Sequence, residues 1–185
     1  MTDIFQGHEP RVTRWYLKRV DPRHGAPDDE SGALLPVRMR LLAAPGASIV
    51  LGNLIAYSTG LEFMLFIRHD PDLDPSWGGC NHYYEDDDPD QCLRFGLQFS
   101  DGSRVTSLDS RRRRAQKTPP SFLLRETWPG GNAQRWWVHP LPPAGPILLV
   151  LEWPVAARNR VTVQLDGDAI RAAASQSIRF WDRPS

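Results

Sequence analysis

The sequence predicts an all-β protein, an antiparallel β-sandwich or partly open barrel of about nine strands with one C-terminal helix. Three observations lead there. Two β-rich hydrophobic blocks, Ala47 to Ile67 and Ile147 to Leu165, flank a hydrophilic middle. Seventeen prolines and 14 glycines among 185 residues impose many turns and leave little room for long helices. The helical crossovers that a parallel sheet needs between its strands are missing, and no internal repeat suggests a propeller or solenoid.

In chain order, Val12 to Val20 is a candidate strand, with Trp15 and Leu17 alternating against Arg14 and Lys18. Asp21 to Gly32 (DPRHGAPDDESG) lacks apolar anchors and is expected to be a mobile loop. Pro36 to Leu42 alternates Val37, Met39 and Leu41 against Arg38 and Arg40, which gives one buried and one wet face. Ile49 to Ser58 and Leu61 to Arg68 read as a hairpin, with Phe63, Leu65 and Ile67 on one face of the second strand. His69 to Gln91, dense in Asp, Pro and Gly, reads as a long excursion.

Cys92 to Phe99 restores alternation, placing Leu93, Phe95, Leu97 and Phe99 on one side, and the Asp101-Gly102 turn returns the chain through Ser103 to Leu108 with Val105 inward. After the break at Arg111 to Pro120 come Phe122 to Thr127 and Ala133 to His139, then Ile147 to Trp153 as a central strand with Arg160 to Leu165 beside it. The period then changes: Ile170, Ala173, Ala174, Ile178 and Trp181 recur at helical steps behind Asp166, a natural cap, with Asp168 near the positive end of the helix dipole and Arg179 near the negative end. Residues 1–33 thus form a loosely ordered segment with one possible strand, and residues 34–185 form a single sandwich domain including the helix.

Charge and composition exclude several function classes. Twenty-two basic and 22 acidic residues balance, so no whole-molecule field favours nucleic acid or an anionic membrane. Only Lys18 and Lys117 are lysine among the basic residues, an arginine bias spread over the whole chain that reads as codon usage. Met1 to Pro10 lacks the charged and apolar regions of a secretory signal, and the most apolar run, Ile147 to Trp153, is too short to span a bilayer; a soluble cytoplasmic protein is expected. No nucleophile-elbow, phosphate-loop, dinucleotide or zincin motif occurs, and no cofactor is implied.

Three groups of side chains remain as candidates. His69, Asp70, Asp72, Asp74 and His82, with Glu85, Asp86, Asp87, Asp88 and Asp90, crowd one loop with the donors divalent cations prefer. Asp70, Asp72 and Asp74 imitate the start of a calcium loop, yet Pro75 stands where glycine makes the sharp turn and Asn81 where a glutamate closes the shell. Cys80 and Cys92 are read first as free thiols, then as a disulfide, then as metal ligands or a nucleophile near His82. The run Arg111, Arg112, Arg113 and Arg114 has the chemistry for phosphate, and Trp136 with Trp137 for stacking bases; adjacency on a strand puts these two rings on opposite faces and makes one of them the best candidate for an exposed aromatic. A solvated arginine loop paired with Glu85 to Asp90 and tryptophans in the core are the simpler readings.

The phrases LRFGLQFSDGSRVTSLD at Leu93 to Asp109, GGNAQRWWVHPLPPAGPILLVLEWP at Gly130 to Pro154 and LDGDAIRAAA at Leu165 to Ala174 resemble a widespread family of uncharacterised actinobacterial proteins. The resemblance covers most of the chain after Leu34, implies a shared fold and brings no activity, substrate or catalytic residue with it. The expected function is a non-enzymatic binding or interaction module with a protein partner. A metal-assisted hydrolase built on the 69–92 loop is the alternative, and a nucleic-acid-binding module comes third.

Overall fold

The structure, a computed structural model, describes residues 20–70, 92–108, 119–128, 133–154 and 156–181. The candidate strand from Val12 lies outside them, apart from Val20. Antiparallel sheets dominate, and none closes into a barrel. The strands are β1 (Glu30–Ser31), β2 (Ala33–Ala44), β3 (Ala47–Tyr57), β4 (Gly60–His69), β5 (Arg94–Gln98), β6 (Arg104–Thr106), β7 (Ser121–Thr127), β8 (Ala133–His139), β9 (Pro146–Trp153), β10 (Ala157–Asp166) and β11 (Ile178–Arg179), with helix α1 (Gly167–Ala174) before the last. One sheet runs β2-β3-β4-β8-β7, a second runs β10-β9-β5-β6, and β1 pairs with β11 in a short ribbon.

Alternation decides which residues meet between the two large sheets. Phe63, Leu65 and Ile67 of β4, Trp136 and Val138 of β8 and Phe122 of β7 point inward from the first sheet, while Phe95, Leu97, Leu149 and Leu151 do so from the second. Phe95 is the aromatic hub: its ring centroid lies 4.7 Å from Trp136, 5.4 Å from Phe122 and 6.4 Å from Phe63. Edge-to-face crossings of this kind bring the positive ring edge against a neighbouring π face. One contiguous core results, joined at its end by Ile170 and Ala174 of α1.

The helix begins as expected and ends early. Asp166 caps it, its side chain accepting from the amides of Asp168 (2.9 Å) and Ala169 (3.1 Å). The expected face through Ile178 and Trp181 is a correction: the helix stops at Ala174, and the chain turns so that Ile178 pairs with Ser31, Arg179 with Glu30, and the Phe180 amide with the Asp29 carbonyl oxygen. Ribbon bonds to residues 29–31 satisfy backbone groups that a longer helix would have paired internally. Arg179 therefore stands in β11, and Arg171 supplies the base in the last helical turn. Ile178, Phe180 and Trp181 are 67%, 60% and 48% exposed, so the helical period continued past the helix without marking buried positions.

A second correction concerns Asp21 to Gly32. This stretch is a strap on the outer face of the five-stranded sheet, held by polar rather than apolar anchors. The Trp137 indole donates to the Pro22 carbonyl oxygen (2.8 Å), and the buried Glu30 carboxylate accepts from the Ser58 amide (2.6 Å) and hydroxyl (2.5 Å). Gly25 packs so closely on the Arg125 guanidinium that a Cβ there would sit 3.1 Å from it.

Candidate functional site

The outward side chains of the four-stranded sheet form the best-defined site. Cross-strand register places Thr106, Gly96, Val150 and Thr162 in one row, and Arg104, Gln98, Leu148 and Gln164 in the next. On the other side of the first row, Arg94 faces Glu152. Gly96 leaves the middle of this surface bare, and a Cβ there would approach the Val105 carbonyl oxygen to 2.8 Å, so the backbone itself forms the floor. Above it lies a hollow of about 370 Å³ lined by Arg94, Arg104, Arg160, Glu152, Thr106 and Val150 among others.

Glu152 organises the charged end of that hollow. Its two oxygens accept separately, Oε2 from Arg94 Nε at 2.7 Å and Oε1 from Arg160 Nε at 2.5 Å. Hydrogen bonds from Arg160 and Arg94 hold its carboxyl below the usual carboxylate range. Both guanidiniums are thereby held through Nε against one shared carboxylate. A second hollow, about 540 Å³, opens on the other side of the same three residues toward Pro154 and Asn159. The charged cluster is therefore shared by two concavities on a rigid sheet.

A different charged group lies on the outer face of the other sheet. Glu62 is only 9% exposed, opposite Trp137 and 3.9 Å from Arg135, which also pairs with Glu126. Burial pushes its carboxyl up, with Arg135 and Arg125 acting against that shift. Burial likewise raises the Tyr57 phenol, whose ring crosses Trp137 at 5.7 Å.

The residues singled out from sequence are placed as follows. His69 ends β4, with its Nδ1 buried and without a hydrogen-bond partner among the described residues; Asp70 follows it, its amide bonded to the Gly46 carbonyl oxygen. Cys92 is a free, buried thiol at the entry to β5. Asp72, Asp74, Cys80, His82, the acidic run to Asp90 and Arg111 to Arg114 lie outside the described residues, among which no metal-ligating group of three occurs. Trp136 and Trp137 do point to opposite faces, but the expectation that one is exposed is corrected: both are fully buried. Trp136 sits in the core with its indole donating to Gln134 Oε1 (3.1 Å), and Trp137 lies under the strap, so neither offers a stacking platform.

Sequence reasoning did not single out Arg94, Arg104, Glu152 or Arg160. Alternation does make Arg94 and Glu152 outward, since Phe95 and Leu151 are inward. That the two face each other depends on β5 pairing with β9 across more than fifty intervening residues, which no local pattern encodes.

These features define a class: a sandwich-like all-β protein with an arginine-rich hollow on one outer sheet face. Compared with protein families, curated proteins and solved structures, the chain matches none. No helix among the described residues is long and apolar enough to cross a membrane.

Proposed function

We propose that the protein is a non-enzymatic binding module whose contact surface is the outer face of the four-stranded sheet and whose partner is a protein segment rich in acidic side chains. The observation that carries this reading is Glu152 bridging Arg94 and Arg160 at the junction of two hollows. With Arg104 the described lining of the hollow over Gly96 holds three guanidiniums against one carboxylate, an excess of positive charge on a chain whose formal net charge is zero. Arginines already oriented by a neighbouring carboxylate lose little freedom when they take a second one, and arginine is prominent among residues that dominate protein interfaces. The neutral strip of Thr106, Gly96 and Val150 lets an extended chain lie close to the backbone.

The test is fluorescence anisotropy with a labelled peptide of alternating glutamate and apolar residues and a second peptide carrying lysine in place of glutamate. The acidic peptide is expected to bind with an affinity that falls as salt rises, and the double variant Arg104→Ala/Arg160→Ala to weaken it at least about tenfold while remaining folded. Equal binding of the two peptides, or an unaffected variant, would overturn the reading.

A further inference from the structure

We propose a second binding site, on the outer face of the five-stranded sheet over Val50 and Gly52, for a small organic anion with a flat apolar body. It is independent of the arginine-rich hollow and lies on the other sheet.

A hollow of about 440 Å³ opens there, lined by Arg38 of β2, Val50, Gly52 and Asn53 of β3, and Phe66 and Arg68 of β4 among others. Its volume falls in the range of small-molecule sites. The register sets its plan: Arg38 pairs with Gly52, Val50 with Phe66, and Ser48 with Arg68. The two arginines thus come from the strands on either side of β3, two strand spacings (about 10 Å) apart across the sheet and offset along it by the four-residue step from Ser48 to Gly52 (about 13 Å), at opposite corners of an apolar floor. No carboxylate is among the described lining residues, and Arg38 has no acidic partner among the described residues. Arg68 is steadied by donating from Nη1 to the Ile67 carbonyl oxygen (2.7 Å).

Two features keep the floor open. The Phe66 ring lies close over Gly52: a Cβ there would lie 3.3 Å from Phe66 Cε2, so a larger side chain would fill the hollow and press on the ring. Beside it the ladders to β2 and β4 both lose register, and Asn53 adopts φ +52°, a left-handed conformation that side chains other than glycine rarely take. Bulges that re-aim side chains, and backbone held in such conformations, concentrate at ligand sites. The Asn53 amide nitrogen approaches Met64 Sδ at 3.8 Å.

The combination selects the ligand. A bare inorganic anion satisfies the guanidiniums and leaves Phe66 and Val50 wet, whereas a neutral aromatic covers the floor and gains nothing from Arg38. An aryl or similar flat body bearing a phosphate or carboxylate uses both charge and floor, its ring over Phe66 and Val50 and its anionic group held by Arg38.

The experiment is titration of the full chain with phenyl phosphate, benzoate, inorganic phosphate and phenol, followed by amide NMR shifts of Gly52, Asn53 and Phe66. At least one aryl anion is expected to bind at least about tenfold more tightly than both inorganic phosphate and phenol; the tighter of the two identifies the anionic group. Arg38→Ala, an exposed position, is expected to weaken that binding about tenfold, while Arg104→Ala on the other sheet leaves it unchanged. Inorganic phosphate or phenol binding as tightly as the better of the two aryl anions, no shift at those amides with any probe, or an Arg38→Ala protein that is folded and binds normally would each overturn the proposal. Loss of acidic-peptide binding in the Arg104→Ala/Arg160→Ala protein reports on the other face alone, so the two readings fail separately.

Discussion

Trp137 and Pro22, 115 residues apart, are joined by a 2.8 Å hydrogen bond from the indole Nε1 to the prolyl carbonyl oxygen. This contact converts a proline- and acid-rich segment with no apolar side chain to bury into a strap over the outer sheet face. It also explains how a tryptophan whose neighbour fills the core is itself fully buried. Trp137→Phe keeps most of the apolar bulk and removes the donor. The expected result is a loss of about 1 to 3 kcal/mol in chemical denaturation, with faster proteolysis between Pro22 and Gly32 than elsewhere.

Phe95 joins the two large sheets by contacting aromatic rings on β4, β7 and β8. Phe95→Ala is expected to cost about 3 to 5 kcal/mol, because the cavity lies between two sheets that cannot collapse independently. Equilibrium unfolding checks this, and a loss below about 1 kcal/mol would show that the aromatic cluster does not unite the sheets.

Glu62 predicts an unusual pH response. Its carboxyl is raised by burial, so between the ordinary carboxylate pKa and its own raised value the folded protein holds a proton that the unfolded chain has released. Its contribution to stability is therefore greatest at low pH and falls as pH rises through the folded pKa. Glu62→Gln is expected to raise the melting temperature at pH 7 and to have little effect near pH 3, where both states of the wild type are protonated at this position. A stabilisation that persists at pH 3 would contradict it.

Glu152 has the opposite sign. Hydrogen bonds from Arg160 and Arg94 lower its carboxyl, so the stability it contributes is present above the ordinary carboxylate range and is lost as pH falls through the depressed folded value. Being partly exposed, it contributes modestly to stability. Glu152→Gln is expected to change the melting temperature little at pH 7 and to reduce acidic-peptide affinity by loosening both guanidiniums, with anisotropy separating the two effects.

Asp166→Ala removes the side-chain acceptor for the Asp168 and Ala169 amides at the start of α1. A loss of about 1 kcal/mol is expected, measured by thermal unfolding, with Asp166→Asn retaining most of the stability.

The faces of the strands were legible because side chains alternate with period two. Val37 and Met39 against Arg38 and Arg40, Phe63, Leu65 and Ile67, and the four alternating apolar residues from Leu93 to Phe99 all take the sides that their spacing assigns. The Asp166 cap was legible for a similar reason, since the acceptor and the amides it serves are two and three residues apart. The end of α1 was not, because Ile178 and Trp181 keep the helical period while the backbone of Ile178 and Phe180 is claimed by residues 29 and 31, far away in sequence.

The sequence by itself determined that this is an all-β chain with inward and outward residues on each strand and a capped terminal helix, because those features arise from interactions between near neighbours. Tertiary structure alone decided that β4 lies beside β8 and β5 beside β9, and so which outward residues became neighbours: Arg94 with Glu152, Glu62 with Trp137. The physical reason is that alternation fixes a side chain's face but not its partner strand. Partners are chosen by how the whole set of apolar faces packs, a property no short segment carries.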